Sequence, residues 1–257
     1  SGFEVERLEE PKPSTDSVFH SPEMRAFAER VPFTILFVVR KKAQTDVSPA
    51  SFEQVMDACQ TFKAQAGRVP FVSCFGRTSA AADQVEYRTA QEIGALLIRK
   101  GFGVLHGGYT GMMQAVSEGA SREIEIHTEP EFRYRNIGVP MCGFDRELTR
   151  TQSLHLPAAS TLTDRKSAIT KNGDIALGLP LVGIGTFAEV WEVIEGNYCA
   201  SFTGEPLRPV ILYGSAWKQV IADLTTSFGI TLPSEVASLL IYVETLKDLE
   251  AVLERLS

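Results

Sequence analysis

Short apolar runs alternate with amphipathic stretches from about residue 68 to the end of the chain. The short runs are bounded by glycine or polar residues, a pattern that predicts buried strands. The stretches between them carry apolar residues at helical spacing and predict helices. Strands that alternate with helices form parallel sheets with helices on both faces. We therefore expect an α/β fold with a Rossmann-like parallel sheet.

The predicted elements of this region are six strands and six helices. The strands are expected at 69–75, 103–105, 137–142, 175–182, 209–213 and 240–243. The helices are expected at 86–100, 112–122, 162–172, 187–199, 217–228 and 245–256. The stretch 143–160 is expected to be irregular.

The first quarter of the chain has a different pattern. Residues 1–21 are polar and rich in proline and hydroxyl side chains, which predicts a flexible arm. Residues 22–67 predict an N-terminal helix-strand-helix extension, with elements at 23–30, 33–39 and 48–64. The Rossmann-like nucleotide-binding domain is then expected over residues 68–257.

Polar or glycine-rich turns follow three of the predicted strands, at 76–79, 107–111 and 183–186. The carboxyl ends of parallel strands lie at one edge of a sheet, where ligands bind in such folds. A single glycine turn is often only a structural turn. Three at one edge favour a shared site for phosphate and sugar.

The last of these turns is the most informative. Gly183 and Gly185 allow a close backbone approach, Thr186 adds a hydroxyl, and the following helix directs its positive end at an anion. Glu189 follows in the first turns of that helix. A carboxylate beside a phosphate site suggests chemistry on a nucleotide-like molecule.

A basic pair lies between the second and third glycine turns. Arg165 has the planar guanidinium that suits a phosphate or a ribose. Lys166 is either a point charge for the ligand or a surface residue. A solvated helix start explains the same charges equally well when the segment is taken alone.

Composition excludes some partners. The net charge of −7 argues against nucleic acid or an anionic membrane as the main partner. No apolar run reaches the ~20 residues of a membrane helix. The four cysteines are far apart and form no CxxC, as expected of thiols in a reducing, cytoplasmic setting. We expect no metal site.

Taken together, the motifs resemble the LONELY GUY (LOG) family. The segment 107–120 resembles its GGGxxGLM…VAxGA motif, Arg165-Lys166 its MxxRK pair, and 183–189 the second half of its PGGxGTxxE motif. The segment 74–87 and the closing 241–256 resemble the first and last elements of the family. The resemblance covers about residues 68–257.

The resemblance implies an activity and a set of site residues. LOG proteins are cytokinin riboside 5′-monophosphate phosphoribohydrolases, often mislabelled lysine decarboxylases, and they form homodimers. They cleave the N-glycosidic bond between an adenine-type base and ribose 5-phosphate without a metal or other cofactor. By position, Arg165 and Glu189 are the implied catalytic pair. The implied phosphate-binding residues are Gly108, Thr110, Gly111, Gly183, Gly185 and Thr186.

The chain departs from the family pattern at three places. Leu181 and Val182 stand where proline and glycine are usual, and Tyr109 replaces a glycine of the second turn. The first turn, which starts at Gly76, has Arg77 and Thr78 where the family has serines. Arg77 is expected to contact the phosphate or the base in compensation.

Two functions therefore stay open. One is hydrolysis of a purine-type nucleoside 5′-monophosphate, such as a cytokinin-like or AMP-like nucleotide. The other is a catalytically silent protein that binds a nucleotide or a pterin cofactor on the same fold. Arg165 and Glu189 favour the enzyme, and the Leu181-Val182 change favours the binder or an altered specificity. Amino-acid decarboxylation is disfavoured, because no lysine lies in a recognisable pyridoxal-phosphate context.

Overall fold

A computed structural model describes residues 3–9, 36–41, 49–144, 147–149, 151, 153–180 and 182–257. The chain divides into two units, residues 1–47 and 48–257. All helices and strands named below lie within the described residues.

The first unit contains two antiparallel strands, β1 (Phe3–Glu9) and β2 (Leu36–Lys41). Their register shifts between Val5 and Leu8. The sequence alternates at Phe3 and Val5 and then loses its period before Leu8, in agreement with that shift. β1 is absent from the predicted elements. The predicted helix 23–30 lies outside the described residues.

The second unit alternates helices and strands. Its strands are β3 (Phe71–Phe75), β4 (Gly103–His106), β5 (Asn136–Gly138), β6 (Leu154–His155), β7 (Ile175–Gly178), β8 (Val210–Tyr213) and β9 (Leu240–Val243). Its helices are α1 (Phe52–Gln65), α2 (Val85–Arg99), α3 (Met112–Ile124), α4 (Leu162–Asn172), α5 (Ile184–Thr203), α6 (Ser215–Thr226), α7 (Ser234–Ala237) and α8 (Leu246–Leu256). A 3-10 helix spans Pro130–Tyr134.

The seven strands of this unit form one parallel sheet in the order β6-β5-β4-β3-β7-β8-β9. The expected Rossmann-like α/β fold is confirmed. Strands β4, β3 and β7 are neighbours at its centre. The turns that follow these three strands therefore begin at adjacent positions on one edge of the sheet.

Two apolar clusters cover the two faces of the sheet. Val72 and Cys74 of β3 pack with residues of α2, α3 and α8, whereas Phe71 and Phe75 pack with residues of α1, α4, α5 and α6. Successive strand residues point to opposite faces, so β3 is buried on both sides. Burial on both faces explains why the strands read as continuous apolar runs.

The observed bounds differ from the predicted ones where glycine or proline lies. β5 ends at Gly138 rather than 142, and Pro140, which lacks an N–H, follows soon after. α5 begins at Ile184 rather than 187 and continues to Thr203, with left-handed Gly204 as its C-cap. β6 lies inside the stretch expected to be irregular. It has two residues, too few for a sequence pattern.

Helix α1 is part of the second unit. Val55 and Cys59 on this helix are buried in the cluster beneath the sheet. Sequence analysis assigned this helix to the 22–67 extension. The domain limits 1–21, 22–67 and 68–257 stay predictions.

Candidate functional site

The three predicted turns meet at the carboxyl edge of the sheet. We call residues 76–79 loop 1, residues 107–111 loop 2 and residues 183–186 loop 3. They follow β3, β4 and β7, which are adjacent strands. The sequence predicted that the three turns would lie at one edge of the sheet, and the order of the strands agrees with that prediction.

Arg165 and Glu189 lie together beside these loops. Nη1 of Arg165 is 3.2 Å from Oε1 of Glu189, and the two side chains are only 9% and 12% exposed. Thr161 caps α4 by accepting from the N–H of Asp164, so the helix begins one turn before Arg165. The cap thus directs Arg165 toward loop 2 and the first turns of α5.

Most of the guanidinium of Arg165 is bound by the protein. Nε donates to the carbonyl of Val139 at 3.0 Å, and Nη2 donates to the carbonyl of Gly107 at 3.1 Å. A Cβ at residue 107 would overlap Nη2, so a side chain there would displace the guanidinium of Arg165. Arg165 therefore ties the end of β5 and loop 2 to Glu189. The sequence did not indicate these two carbonyl acceptors, because every residue has a backbone carbonyl whatever its type.

The charge on Glu189 is subject to two opposing effects. Burial raises the pKa of the Glu189 carboxyl, while Arg165 and, more weakly, Lys166 act to lower it. The net direction is upward. Glu189 is thus a carboxylate held in a poorly solvated place beside a single guanidinium, an environment typical of acid-base groups in active sites.

Lys166 points to a different partner. Its Nζ lies 2.8 Å from Oε2 of Glu192, one helical turn beyond Glu189. Thr170 donates to the other carboxylate oxygen of Glu192. Lys166 is therefore engaged in an ion pair between α4 and α5. Its predicted contact with the ligand remains a prediction.

Loops 1 and 2 are in direct contact. The N–H of Met112, the first residue of α3, donates to the carbonyl of Arg77 at 3.0 Å. Gly111 has a φ of +82°, and a Cβ there would lie 2.5 Å from the carbonyl of Thr78. Glycine is required for both reasons. Gly76, the first residue of loop 1, is buried against Met112 and Leu179.

Several backbone groups of loop 2 are occupied within the protein. The N–H of Gly108 donates to Nδ1 of His106, and its carbonyl accepts from the N–H of Thr149. The N–H of Thr110 donates to the carbonyl of Glu147. These bonds hold loop 2 in shape. A role of Gly108, Thr110 and Gly111 in phosphate binding remains a prediction, and the two bonded amides do not favour it.

Loop 3 has the features of an anion site. Gly183 is the N-cap of the 20-residue helix α5 and provides no side-chain cap. The first N–H groups of a helix have no partner within the helix, and its dipole favours an anion there. At Gly185, a Cβ would meet none of the described atoms within 4 Å. The backbone at this point is open to a ligand.

Two buried polar atoms flank Gly183 and have no hydrogen-bond partner among the described residues. They are Oγ1 of Thr186, which is 2% exposed, and Nε of Arg77. A Cβ placed on Gly183 would lie 3.8 Å from Oγ1 of Thr186 and 3.9 Å from Cδ of Arg77. Buried polar groups normally have partners, so such orphans indicate a missing ligand or water.

Two departures from the LOG pattern have contacts within the fold. The hydroxyl of Tyr109 accepts from the N–H of Met141 and donates to the same residue's carbonyl. The guanidinium of Arg165 lies 5.3 Å from the Tyr109 ring centroid, within cation-π range. Val182 packs against the apolar cluster that contains Trp217. Leu181 lies outside the described residues.

The described residues contain no group of three or more His, Cys, Asp or Glu side chains placed to hold a metal ion. Within the same residues, no helix combines the length and apolar character needed to cross a bilayer.

The fold and the loops define a Rossmann-like α/β protein with a candidate anion site at the carboxyl edge of its sheet. Residues 69–128 match the model of the SLOG cluster4 family. The SLOG superfamily includes LOG proteins, so the family resemblance predicted from the sequence is confirmed at this level. No curated protein sequence matches the chain.

Solved structures with this fold include proteins described as binding or carrying the molybdenum cofactor. The binding protein from Rippkaea orientalis is 16% identical with a TM-score of 0.54, and the match covers 74% of this chain and 98% of that one. A structure of the carrier protein from Chlamydomonas reinhardtii is 17% identical with a TM-score of 0.52 and the same coverage. At these identities the similarity shows the fold alone.

Proposed function

We propose that this protein hydrolyses the N-glycosidic bond of a purine-type nucleoside 5′-monophosphate, releasing the free base and ribose 5-phosphate. One observation carries the proposal. The unpartnered atoms of Thr186 and Arg77 flank the start of α5, and Glu189 follows on the same helix, paired with Arg165. An anion site beside a buried carboxylate suits a substrate that has a phosphate near a reactive sugar carbon.

The phosphate binds at the start of α5. The free N–H groups of the first helical turn, the Thr186 hydroxyl and the Arg77 guanidinium donate to its oxygens. The phosphate thereby anchors the ribose beside the carboxylate of Glu189. Anchoring at a remote group is an effective way to orient the bond that breaks.

Glu189 acts on the sugar. As the bond between C1′ and the base nitrogen breaks, its electron pair leaves with the base and positive charge builds up on the ribose ring. The Glu189 carboxylate stabilises that charge and orients the water that attacks C1′. Water supplies the hydroxyl of ribose 5-phosphate and the proton that the released base gains, so the reaction balances without a cofactor.

Arg165 keeps Glu189 in place and ionised. Its bonds to the carbonyls of Val139 and Gly107 fix the guanidinium, and its third direction faces Glu189. In this proposal Arg165 contributes to catalysis mainly through the carboxylate. The two residues of the pair therefore have different roles: Glu189 stabilises the sugar cation and orients the attacking water, and Arg165 positions Glu189.

A second candidate is a carrier that binds an anionic cofactor without chemistry. The similar solved structures described as molybdenum-cofactor proteins favour it. The two buried donors at loop 3 fit the phosphate of a pterin cofactor as well as that of a nucleotide. The two candidates differ in what Glu189 does, because a carrier needs no carboxylate beside the sugar.

The test is incubation with a panel of nucleoside monophosphates, with free base detected by chromatography and binding measured by calorimetry. We expect release of base by the wild type, with binding but almost no release by Glu189→Gln. Binding without release by the wild type would establish the carrier instead. Release at equal rates by wild type and Glu189→Gln would refute the role of Glu189.

We further propose that the protein forms a homodimer through α5. Large apolar side chains recur along one stripe of this helix, and Ile184, Tyr198 and Phe202 are 93%, 43% and 70% exposed. Phe187 and Trp191 stack between them. A self-complementary apolar stripe suits a two-fold interface with a second copy. We also propose that the ligand is a small molecule and that the protein is cytoplasmic.

A further inference from the structure

We infer that His106 is a positioning residue that holds loop 2, and through it Arg165, in the geometry that orients Glu189. The inference rests on the function proposed above for Glu189. His106 is the last residue of β4 and is fully buried. It contacts the site only through the backbone of loop 2.

The hydrogen bonds of His106 define its tautomer. The N–H of Gly108 lies 3.0 Å from Nδ1 of His106, and a backbone N–H can only donate. Nδ1 is therefore the acceptor, and the ring proton is on Nε2. Nε2 lies 3.1 Å from Oδ1 of Asn136 and donates a hydrogen bond to it.

Helix α3 fixes the orientation of Asn136. The amide nitrogen of Asn136 lies 2.9 Å from the hydroxyl of Ser121 and 3.0 Å from that of Ser117. Its oxygen is thus left facing His106. The chain of donors and acceptors from α3 to Gly108 is consistent only with a neutral imidazole.

A neutral ring also agrees with the surroundings of His106. Burial, His155 and Arg165 together lower the pKa of His106 to about 3, although the hydrogen bond to Asn136 acts to raise it. His106 therefore does not titrate near neutral pH. Its function is to provide one fixed acceptor beneath loop 2.

That acceptor sets the direction of loop 2. Gly108 has a φ of +76°, a conformation that its N–H bond to His106 stabilises. The turn presents the preceding carbonyl, that of Gly107, to Nη2 of Arg165. Without the acceptor the turn loosens, Arg165 loses one of its two backbone anchors, and its bond to Glu189 weakens.

Two substitutions of His106 test the contributions of Nδ1 and Nε2 separately. His106→Asn places an amide oxygen near the position of Nδ1 and keeps an acceptor for Gly108. His106→Gln keeps a donor near Nε2 for Asn136 but removes that acceptor. The exposed-loop substitution His127→Gln is the control, since His127 stacks on Phe132 away from the three loops.

The first measurement needs no catalysis. The titration of the Glu189 carboxyl is followed by 13C NMR, with the signal assigned by its absence in Glu189→Gln. Arg165 lowers the pKa of Glu189, Lys166 does so more weakly, and Glu192 raises it. We expect the pKa of Glu189 to move further up in His106→Gln, to change less in His106→Asn, and to be unaltered in His127→Gln.

The second measurement is turnover of the nucleotide that the wild type cleaves. Misplacement of a catalytic group lowers turnover by up to about 100-fold. We expect such a loss in kcat for His106→Gln, with a smaller loss for His106→Asn and little change in KM for either. If the wild type releases no base, the proposed function fails, while the NMR titration still tests the positioning.

Two results would overturn the inference. One is an unchanged pKa of Glu189 in His106→Gln, or equal effects in the Asn and Gln variants. The other concerns the wild type and covers the case in which a variant does not fold. If 15N NMR showed the proton of the His106 ring on Nδ1, Gly108 would have no acceptor there.

Discussion

A single carboxylate, Glu189, carries the chemistry proposed for this protein, and its surroundings set its properties. Burial raises its pKa and the guanidinium of Arg165 opposes that effect. A fully hydrated carboxylate would bind the sugar cation weakly, because water screens it. A buried one with a single counter-charge interacts more strongly with charge that develops nearby.

Glu189→Gln should separate activity from stability. Arg165 keeps its two backbone acceptors in this variant, so we expect the free energy of unfolding to change by no more than about 1 kcal/mol. Turnover should fall by roughly 100-fold or more, because the charge is lost. Denaturant unfolding and the chromatographic assay check the two effects. A variant as active as the wild type would contradict the assignment.

Arg165→Met, in contrast, should lower both the stability and the turnover. It leaves the Glu189 carboxylate buried without its cation and deprives the carbonyls of Val139 and Gly107 of a donor. Removing one member of a buried ion pair costs about 3 kcal/mol or more. We expect that loss in urea unfolding, together with loss of turnover. A cost below about 1 kcal/mol would show that this pair is solvated.

The pH dependence follows from the direction of the Glu189 shift. Hydrolysis requires the carboxylate form of Glu189. As the pH is lowered, kcat should therefore begin to fall at a higher pH than it would with an ordinary glutamate, whose pKa is 4.5. Because the folded state holds this proton more tightly, the group favours folding below 4.5. That contribution to stability is lost as the pH rises through the raised pKa of Glu189 in the folded protein. Comparing unfolding of wild type and Glu189→Gln across this range isolates the effect.

At the scale of elements, the start of α5 combines two kinds of donor. The helix supplies backbone N–H groups, and Thr186 and Arg77 add side chains whose buried atoms lack partners among the described residues. An unsatisfied buried polar atom lowers stability, by about 1–3 kcal/mol. The protein tolerates this cost where a ligand later supplies the missing partner.

Thr186→Val therefore has effects of opposite sign. It removes the unpartnered hydroxyl and should raise the free energy of unfolding of the free protein by about 1 kcal/mol. It should also weaken binding of a nucleoside monophosphate by about tenfold, since a bond to a charged phosphate is lost. Thr186→Ser, which keeps the hydroxyl, is the control. Calorimetry and thermal unfolding measure both changes, and equal binding by Thr186→Val would place the phosphate elsewhere.

At the scale of the whole molecule, the proposed dimer depends on α5. The same helix presents its start to the ligand and its apolar stripe to a second copy. The stripe extends from Ile184 beside the ligand site to Phe202 near the other end of the helix, so a substitution at Phe202 can test assembly at a distance from the ligand.

Phe202→Glu tests the dimer. Phe202 is 70% exposed near the end of α5, where it packs edge-on against Tyr198. A charge there opposes burial against a second apolar stripe, so light scattering should report a shift from dimer to monomer. Lys218→Glu on the exposed face of α6 is the control and should leave the mass unchanged. A wild-type protein that is monomeric at all concentrations would refute the proposal.

Much of the second unit was predictable because its signals are local. The bounds of α4 and β9 agree with the predicted 162–172 and 240–243. Thr161 and Gly173 mark the ends of α4, and β9 is a continuous apolar run that the polar Glu244 follows. Helix α5 contains the predicted helix 187–199 but begins earlier, at Ile184, because the fold holds Gly185, a poor helix former, in its first turn.

The candidate site was predictable only in part. The types and order of Arg165, Thr186 and Glu189 pointed to it, and three turns after three strands placed it at one edge. The contribution of His106 was not foreseen, because its partners lie on β5 and α3 and one of them is a backbone N–H. A pattern of residue types contains no record of such contacts.

By itself, the sequence determined the class of fold, the order of its elements and the residues that carry charge and hydroxyl groups to the sheet edge. Period, glycine and capping act over a few residues, and such effects can be seen along the chain. Only the tertiary structure decided that Arg165 contacts Glu189 and that Lys166 contacts Glu192. It also decided that loops 1 and 3, rather than loop 2, keep side-chain donors without partners among the described residues. Those outcomes depend on distances between segments far apart in the chain, which packing of the whole sheet and its helices sets.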